Sequence, residues 1–486
     1  MKTRIISLLL IFLASLVIPL AIPSAQVFAG QVKVHEYELD NGMKIFVKPD
    51  RRAPIAVSQV WYKVGSSYEH NGITGVSHVL EHMMFKGTHN LGPNEFSEII
   101  AANGGRENAF TGRDYTAYFQ TLSADRIEIA FELEADRMHN LALAEEEFKK
   151  EVEVVKEERR LRTEDKPTSL TYERFKAAAF ASSPYRSPVI GWMSDLNTME
   201  LQDLSNWYQK WYAPGNAALV VVGDVEPDEV YQLAKKHFGK VPSRDFHKPK
   251  NIDEAQVHNT LRLRVRLPAK QPYLIMGYKT PVVGSAEEEW EPYALEVLAA
   301  ILDGGDSARF SKELIRGDEI AVVADASYGA YSRLPDMFLL DGTPSDRYTI
   351  EDLEQAFLKQ IERVKTQPVS DSELERIVTQ VVAGKVYELD SVFYQAMQIG
   401  MLETMGMDWQ LIDKHVENIK AVTPQMIQKV AKKYLIEDNL YVAELEPLPI
   451  ENSTATSSNS VLTPNSTSAS TPDSTLVLAS GGRHGS

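Results

Sequence analysis

The sequence predicts an α+β protein of two homologous α/β-layered domains, each a mixed sheet packed by helices, and three observations carry that prediction. Strand-like alternating segments and long helical patterns interleave along the chain, the arrangement that layers helices on a sheet. A helix–loop–strand unit occurs twice: Trp207 to Asn216 followed by AALVVV, and Val430 to Asn439 followed by LYVAEL. Lys210 falls on Lys433, Trp211 on Tyr434 and Asn216 on Asn439, each 223 residues apart (433 − 210). One long offset marks a duplicated domain rather than a short solenoid repeat. Finally, 486 residues exceed one ordinary core and suit two domains of about 200 residues each.

The elements follow in order. Lys2 and Arg4, the apolar run Ile5 to Ile22, and Val27-Phe28-Ala29 read as a signal peptide over residues 1–29. Pro19 and Pro23 and the small-residue exit favour its removal over an uncleaved membrane anchor. Val32 to Val47 alternates around Asn41-Gly42, giving strand, turn, strand. Ile55 to Val64 is a strand, a helix begins near Thr74, and strands lie within Glu107 to Ser123. Helical patterns cover Ala124 to Asn140, Ala144 to Arg162 and Leu201 to Trp211, and Ala217 to Gly223 is a buried strand. The expected boundaries are a first domain at 30–240, a Pro/Lys/Asp-rich linker at 241–256 and a homologous domain at 257–448. The Ser/Thr-rich segment 449–486 has too little apolar surface to offset its ordering entropy and reads as a disordered tail.

Composition narrows the partners. A net charge of −17 leaves no basic surplus for phosphates, so a nucleic-acid partner is not expected. No second apolar run spans a bilayer, so no membrane association is expected after signal removal, and the location is periplasmic or secreted. With no cysteine in the chain, disulfides and thiolate ligands are excluded, and a metal must be held by His and carboxylates.

Such a set is present. His78-Val-Leu-Glu81-His82 is an H-x-x-E-H motif, which is rare by chance with only 11 histidines. On a helix, His78 and His82 stand one turn apart on one face, so both imidazoles reach one ion. Glu81 projects beside that face, placed to accept a proton from an attacking water. This is the inverted form of the zinc-peptidase motif H-E-x-x-H. A catalytic zinc usually takes a third protein ligand. The acidic helix Ala144 to Arg162 offers Glu151, Glu153, Glu157 and Glu158, and spacing does not choose among them. By spacing alone that helix is more often a plain solvated face, and Arg159, Arg160 and Arg162 are read as lying on its solvated side.

The motif, Phe85-Lys-Gly-Thr88, Gly104 to Thr111, Asp114-Tyr-Thr116-Ala-Tyr118, Glu151 to Glu158 and Tyr212 to Asp224 together resemble the pitrilysin/insulinase family of zinc metallopeptidases. The likeness is to the shorter bacterial, mitochondrial-processing-peptidase-like branch, as its zinc-bearing subunit. It spans residues 33 to 448, dense in the first half and looser in the second. The resemblance implies two domains facing each other across a cleft, one Zn2+ per chain, and endopeptidase action on peptides or small unfolded polypeptides. It implies Glu158 as third ligand, with Glu157 the alternative, and Glu151 as a supporting carboxylate behind the ligands. It implies Glu81 as general base, and Asn108 and Ala109 on a strand whose edge pairs with an extended peptide substrate.

Two departures matter. Tyr293 to Gly305 stands where the second domain would carry the metal helix, yet holds no histidine, so that half is expected to be non-catalytic. Single-chain relatives carry an Arg and a Tyr seven residues apart in that half. Here Ile315 and Val322 occupy those places, Arg316 is followed by Val323, and Tyr328 and Tyr331 are out of register. A homologous partner subunit supplying that pair, or a second copy in a homodimer, is therefore expected. The competing reading is a non-catalytic, zinc-braced scaffold subunit of a peptidase complex. The intact Glu81 speaks against it, because a structural site needs no base.

Overall fold

The computed structural model describes residues 33–244, 250, 252–255 and 260–450. The segment read as a signal peptide (1–29), the tail from residue 451 and parts of the 241–256 linker lie outside the described residues. Strands β1 (His35–Glu38) and β2 (Lys44–Pro49) form a hairpin over Asn41-Gly42, with His35 opposite Val47. β3 (Ile55–Tyr62) leads to α1 (Val76–Met83), α2 (Glu95–Ala102) and the hairpin β4 (Arg106–Thr111) and β5 (Thr116–Ser123). Helices α3 (Ile127–Asn140), α4 (Glu145–Arg159), α5 (Pro167–Ala179), α6 (Met193–Thr198) and α7 (Leu201–Trp211) precede β6 (Ala217–Gly223) and α8 (Pro227–His237).

The second half repeats this order. It runs β7 (Leu261–Pro268), β8 (Tyr273–Thr280), α9 (Glu291–Asp303), β9 (Ala321–Ser327) and β10 (Asp336–Pro344). Then come α10 (Ile350–Thr366), α11 (Asp371–Glu388), α12 (Val392–Met405), α13 (Leu411–Ala421), α14 (Pro424–Tyr434) and β11 (Leu440–Leu448). The sheet orders are β1-β2-β6-β3-β5-β4 and β7-β11-β8-β10-β9. Each contains one parallel pair, β2 with β6 and β7 with β11, in an otherwise antiparallel ladder. The offset read from the sequence recurs in the elements themselves: α7 and α14 begin at 201 and 424, and β6 and β11 at 217 and 440. The Asn216 amide donates to the Trp211 carbonyl at 2.9 Å, and the Asn439 amide to the Tyr434 carbonyl at 3.2 Å. The same side chain thus satisfies the same orphan helix-end carbonyl in both halves.

The apolar run in β6 is continuous because both of its faces are covered. Leu219 and Val221 enter the first domain's core with Val60, Val79 and Leu80. Ala218, Val220 and Val222 face the other way and meet Ala396, Met397 and Ile399 of α12, a helix of the second half. The exchange is reciprocal: Phe175 and Ala179 of α5 pack with Ile275, Met337 and Ala443 on the second sheet. Each domain therefore lends one helix to cover the other's sheet. Lys44 and Lys63 fix α12 further through Glu403, at 2.8 and 2.7 Å.

Gly400 is where α12 comes closest, and a Cβ there would overlap the Trp61 indole. Gly400→Ala is expected to cost about 1–3 kcal/mol through overpacking. Gly384→Ala, in exposed helix α11 with open space around it, is expected to gain up to about 1 kcal/mol from helix propensity. Urea midpoints of the two variants check this contrast.

Candidate metal centre

Helix α1 starts at Gly75, whose φ of 88° lies in the left-handed region. The Glu69 carboxylate accepts the free N–H groups of Gly75 and Ser77 at 2.7 and 2.9 Å, capping the helix start. Burial nevertheless pushes the Glu69 carboxyl up to about 7. Gly75 packs directly on Gly191, and a Cβ on Gly191 would overlap the Thr74 carbonyl. The Arg159 guanidinium, at the end of α4, donates to the Gly191 carbonyl at 2.9 Å and to both Glu173 oxygens at 2.8 Å. The start of α1 and the end of α4 are thus tied to one turn.

That tie brings distant residues together. One ligand atom each from His78, His82 and Glu158 lie within 4.8 Å of one another. Glu158 Oε1 is 3.8 Å from His78 Nε2, and Oε2 is 3.5 Å from His82 Nε2. A tetrahedral zinc with bonds of about 2.0–2.1 Å separates its ligand atoms by about 3.3 Å. Two imidazole nitrogens and one carboxylate at these distances fit that ion. Behind them, Glu151 Oε2 lies 3.1 Å from His82 Nδ1, and Lys86 Nζ is 2.8 Å from Glu151 Oε1. Arg162 Nη1 lies 2.7 Å from Glu158 Oε1. Thr111 Oγ1, at the end of β4, donates to Glu81 Oε2 at 2.5 Å.

The charges follow from burial and neighbours. Burial, helped by the charge of His82, holds the His78 imidazole down at about 3, so it is neutral. Burial also opposes charge on His82, but hydrogen bonds to Glu151 and Glu158 outweigh it and raise that ring to about 9. Burial pushes the Glu158 carboxyl up, and His82, His78 and Arg162 override it to about 2. Burial raises the Glu81 carboxyl above the ordinary range. The two carboxyl groups therefore differ in kind: Glu158 is a fixed anion, and Glu81 holds a proton more readily.

Of the four acidic candidates on α4, Glu157 pairs with Arg160 at 2.8 Å and Glu153 with Lys156 at 2.7 Å, both on the exposed side. The arginine reading needs correction. Arg159 is only 3% exposed, because Glu173 and the Gly191 carbonyl give its charge a buried home, and Arg162 turns back onto Glu158. Asn108 and Ala109 lie on β4, an edge strand bonded to β5 on one side. The Ala109 N–H is taken by the Asn108 side chain at 2.9 Å. Lys86 and Thr111 carried no role in the sequence reading. Lys86 lies past the end of α1, so helical spacing did not single it out. Nor did spacing single out Thr111.

In the second half, α9 occupies the place of α1. Tyr328 donates to the Pro281 carbonyl at 2.6 Å, and Tyr331 sits 2.9 Å from His415 Nδ1. Arg316 Nε bonds the Ser311 carbonyl at 3.2 Å. Val322 is exposed on edge strand β9. No helix among the described residues is long and apolar enough to cross a membrane.

Comparison with known proteins bears on both halves. Residues 44–191 match the family model described as "Insulinase (Peptidase family M16)", and residues 198–381 the one described as "Peptidase M16 inactive domain". The zinc protease PqqE of Helicobacter pylori is 32% identical over 365 residues, covering 73% of this chain and 79% of its own. The crystal structure of a protease from Helicobacter pylori superimposes with a TM-score of 0.81 at 29% identity, over 85% of this chain and 100% of that one. The periplasmic protease PqqL from Escherichia coli has the same fold (TM-score 0.73, 17% identity), matched over 90% of this chain and 52% of its own.

Arg159→Met leaves Glu173 charged and buried without its guanidinium, and should cost about 3–5 kcal/mol. Arg159→Met with Glu173→Met should recover much of that loss. Denaturant unfolding of the single and double variants measures both.

Proposed function

The chain belongs to the M16 (insulinase) family of peptidases, whose relative here is a zinc protease, and from that premise we propose that it is a zinc-dependent endopeptidase acting on peptides or small unfolded polypeptides. The observation that carries this reading is the convergence of His78, His82 and Glu158 beside a buried Glu81. We assign residues 30–240 to the catalytic domain and 257–448 to its non-catalytic counterpart.

His78, His82 and Glu158 would hold one zinc ion. Bound zinc supplies Lewis acidity, acidifying a water and polarising the scissile carbonyl. Glu151 fixes the His82 ring by accepting a hydrogen bond from Nδ1–H, leaving Nε2 for the metal. Lys86 holds Glu151, and Arg162 holds one oxygen of Glu158. Glu81 accepts the proton of the attacking water and delivers it to the leaving amine. Burial raises its affinity for protons above that of a free carboxylate, the direction a proton acceptor and donor needs. The Thr111 hydroxyl aims the carboxylate. The outer edge of β4 takes the substrate as an added strand at Asn108 and Ala109, with the Asn108 side chain releasing the Ala109 N–H that it holds, so affinity comes from backbone hydrogen bonds with little demand on sequence.

A homologous second chain would complete the site with an Arg/Tyr pair, which a second copy of this chain, with Ile315 and Val322 at those places, does not carry. Support comes from Val322 at the register where the Tyr is expected, and from Tyr328 and Tyr331 being bonded within their own domain. The same fold also forms about half of a longer chain, PqqL, which is periplasmic. With the basic and apolar start of this chain, that favours an exported, periplasmic protein.

Glu81→Gln should keep its zinc, by elemental analysis, and lose at least about a hundredfold in turnover of a quenched-peptide library. Glu158→Gln should lose the metal, and Glu151→Gln should weaken zinc binding by about 10–100-fold. Zinc-free purified protein, or full turnover by Glu81→Gln, would sink the peptidase reading. High turnover by the purified chain as a monomer, with no homologous chain present, would sink the partner reading alone.

A further inference from the structure

The second domain reaches into the first beside the candidate base. Arg333, on the loop before β10, has Nε 3.1 Å from Asp114 Oδ1, and its backbone N–H reaches Asp114 Oδ2 at 3.3 Å. Its Nη2 donates to Ser67 Oγ at 2.8 Å, and its guanidinium lies 4.3 Å from the centre of the Tyr68 ring. Asp114 is buried and also accepts from Ser67 Oγ at 2.7 Å and from the Tyr185 hydroxyl.

These contacts converge on two segments that frame the site. One is the turn 112–115 joining β4 to β5, directly after Thr111, whose hydroxyl holds Glu81. The other is the loop 65–68, directly before Glu69, which caps α1. The two segments are knitted together: Ser66 N–H donates to the Gly112 carbonyl at 3.2 Å and Ser67 N–H to the Arg113 carbonyl at 2.8 Å. Gly65 packs so closely that a Cβ would overlap the Gly112 carbonyl. One guanidinium from the second domain thus sits where the end of β4 and the approach to α1 meet.

Joining the domains does not require it. The apolar faces around α5 and α12 already do that, and a buried ion pair adds little net stability while fixing geometry. Resting on the peptidase reading above, we propose that Arg333 is a positioning residue of the reaction. It fixes the 112–115 turn, through Thr111 the aim of Glu81, and the register of edge strand β4. The metal-free half of the chain therefore takes part in the chemistry of the other half.

The test uses the full-length chain, with its homologous partner if turnover requires one, and R333A, R333K, T111V, R333A/T111V and R52M. Arg52 also crosses between the domains, bonded to Asp390 at 2.9 Å, at the end of β3 away from the turn. Lys176 would not serve, because its partner Asp336 also holds Arg113 of the turn. Expected are a tenfold or greater fall in kcat for R333A with zinc content unchanged, an intermediate fall for R333K, and R52M within twofold of wild type. The double variant should lose no more than the worse single, since both act on one contact. Backbone hydrogen exchange over residues 106–116 should speed up in R333A and stay at the wild-type rate in R52M. A kcat for R333A within twofold of wild type, or losses in the double variant that multiply, overturns the proposal. If R333A does not fold, R333K decides, and wild-type kcat with wild-type exchange overturns it. A wild-type chain that cleaves no peptide defeats the peptidase reading instead. The exchange comparison then still decides, and unchanged protection of 106–116 in R333A overturns the positioning role.

Discussion

The start of α1 meets the turn at Gly191 backbone to backbone, with no room for a side chain, and the end of α4 reaches the same turn through Arg159. His82 and Glu158 are 76 residues apart in sequence (158 − 82), so nothing local holds them together. Arg159 does so indirectly. Its charge is buried, and a buried guanidinium is tolerable only while its partners stay in place. Because those partners are Glu173 and the Gly191 carbonyl, any slide of α4 along α1 would strand a charge. The interaction adds little net stability. It fixes register, and register is what a set of ligand atoms a few ångströms apart needs.

A second constraint acts at the scale of domains. A sheet covered on one face leaves the other to solvent, and the alternation along its strands then shows it. Here the outer faces are apolar because α12 and α5 cross between the halves. Each half has a core of its own on one face of its sheet, and the other face is covered by the other half's helix, which joins the two reciprocally. Residues at the seam, such as Arg333 and Asp114, can then be positioned with the precision of a core.

This explains what could be read from sequence. The strand at Ala217–Gly223 and the helix at Leu201–Trp211 were legible because their patterns are strong, and the duplication because the same Asn closes the same turn in each half. The imidazole pair was legible because one turn of helix is a fixed distance. Helices α5 and α12 were not. α12 is buried nearly all round, from Gln395 to Gly400 and again from Leu402 to Thr404, so it lacks the polar stripe by which an amphipathic helix is recognised. Spacing also left four acidic candidates on α4 open. What separates Glu158 from Glu157 is the rotation of α4, and that rotation is set by Arg159, a residue whose sequence neighbours gave it every appearance of a solvent charge. A buried ion pair with a partner 14 residues away leaves no periodic trace.

The two halves diverge in chemistry while keeping one architecture, and the physics permits that asymmetry. Helix α9 needs only an apolar face to fill the place of α1, and Leu295, Val297, Leu298 and Ile301 provide it. Nothing in the packing of α9 requires an imidazole, so a metal site can be absent there without cost to the fold. The constraint that does persist in the second half is the one both domains share: helix α12 against Trp61 and Val220, and the loop that delivers Arg333 to Asp114. A half-chain without ligands is then held in place by what it does for its neighbour's core and for the strand beside its neighbour's base.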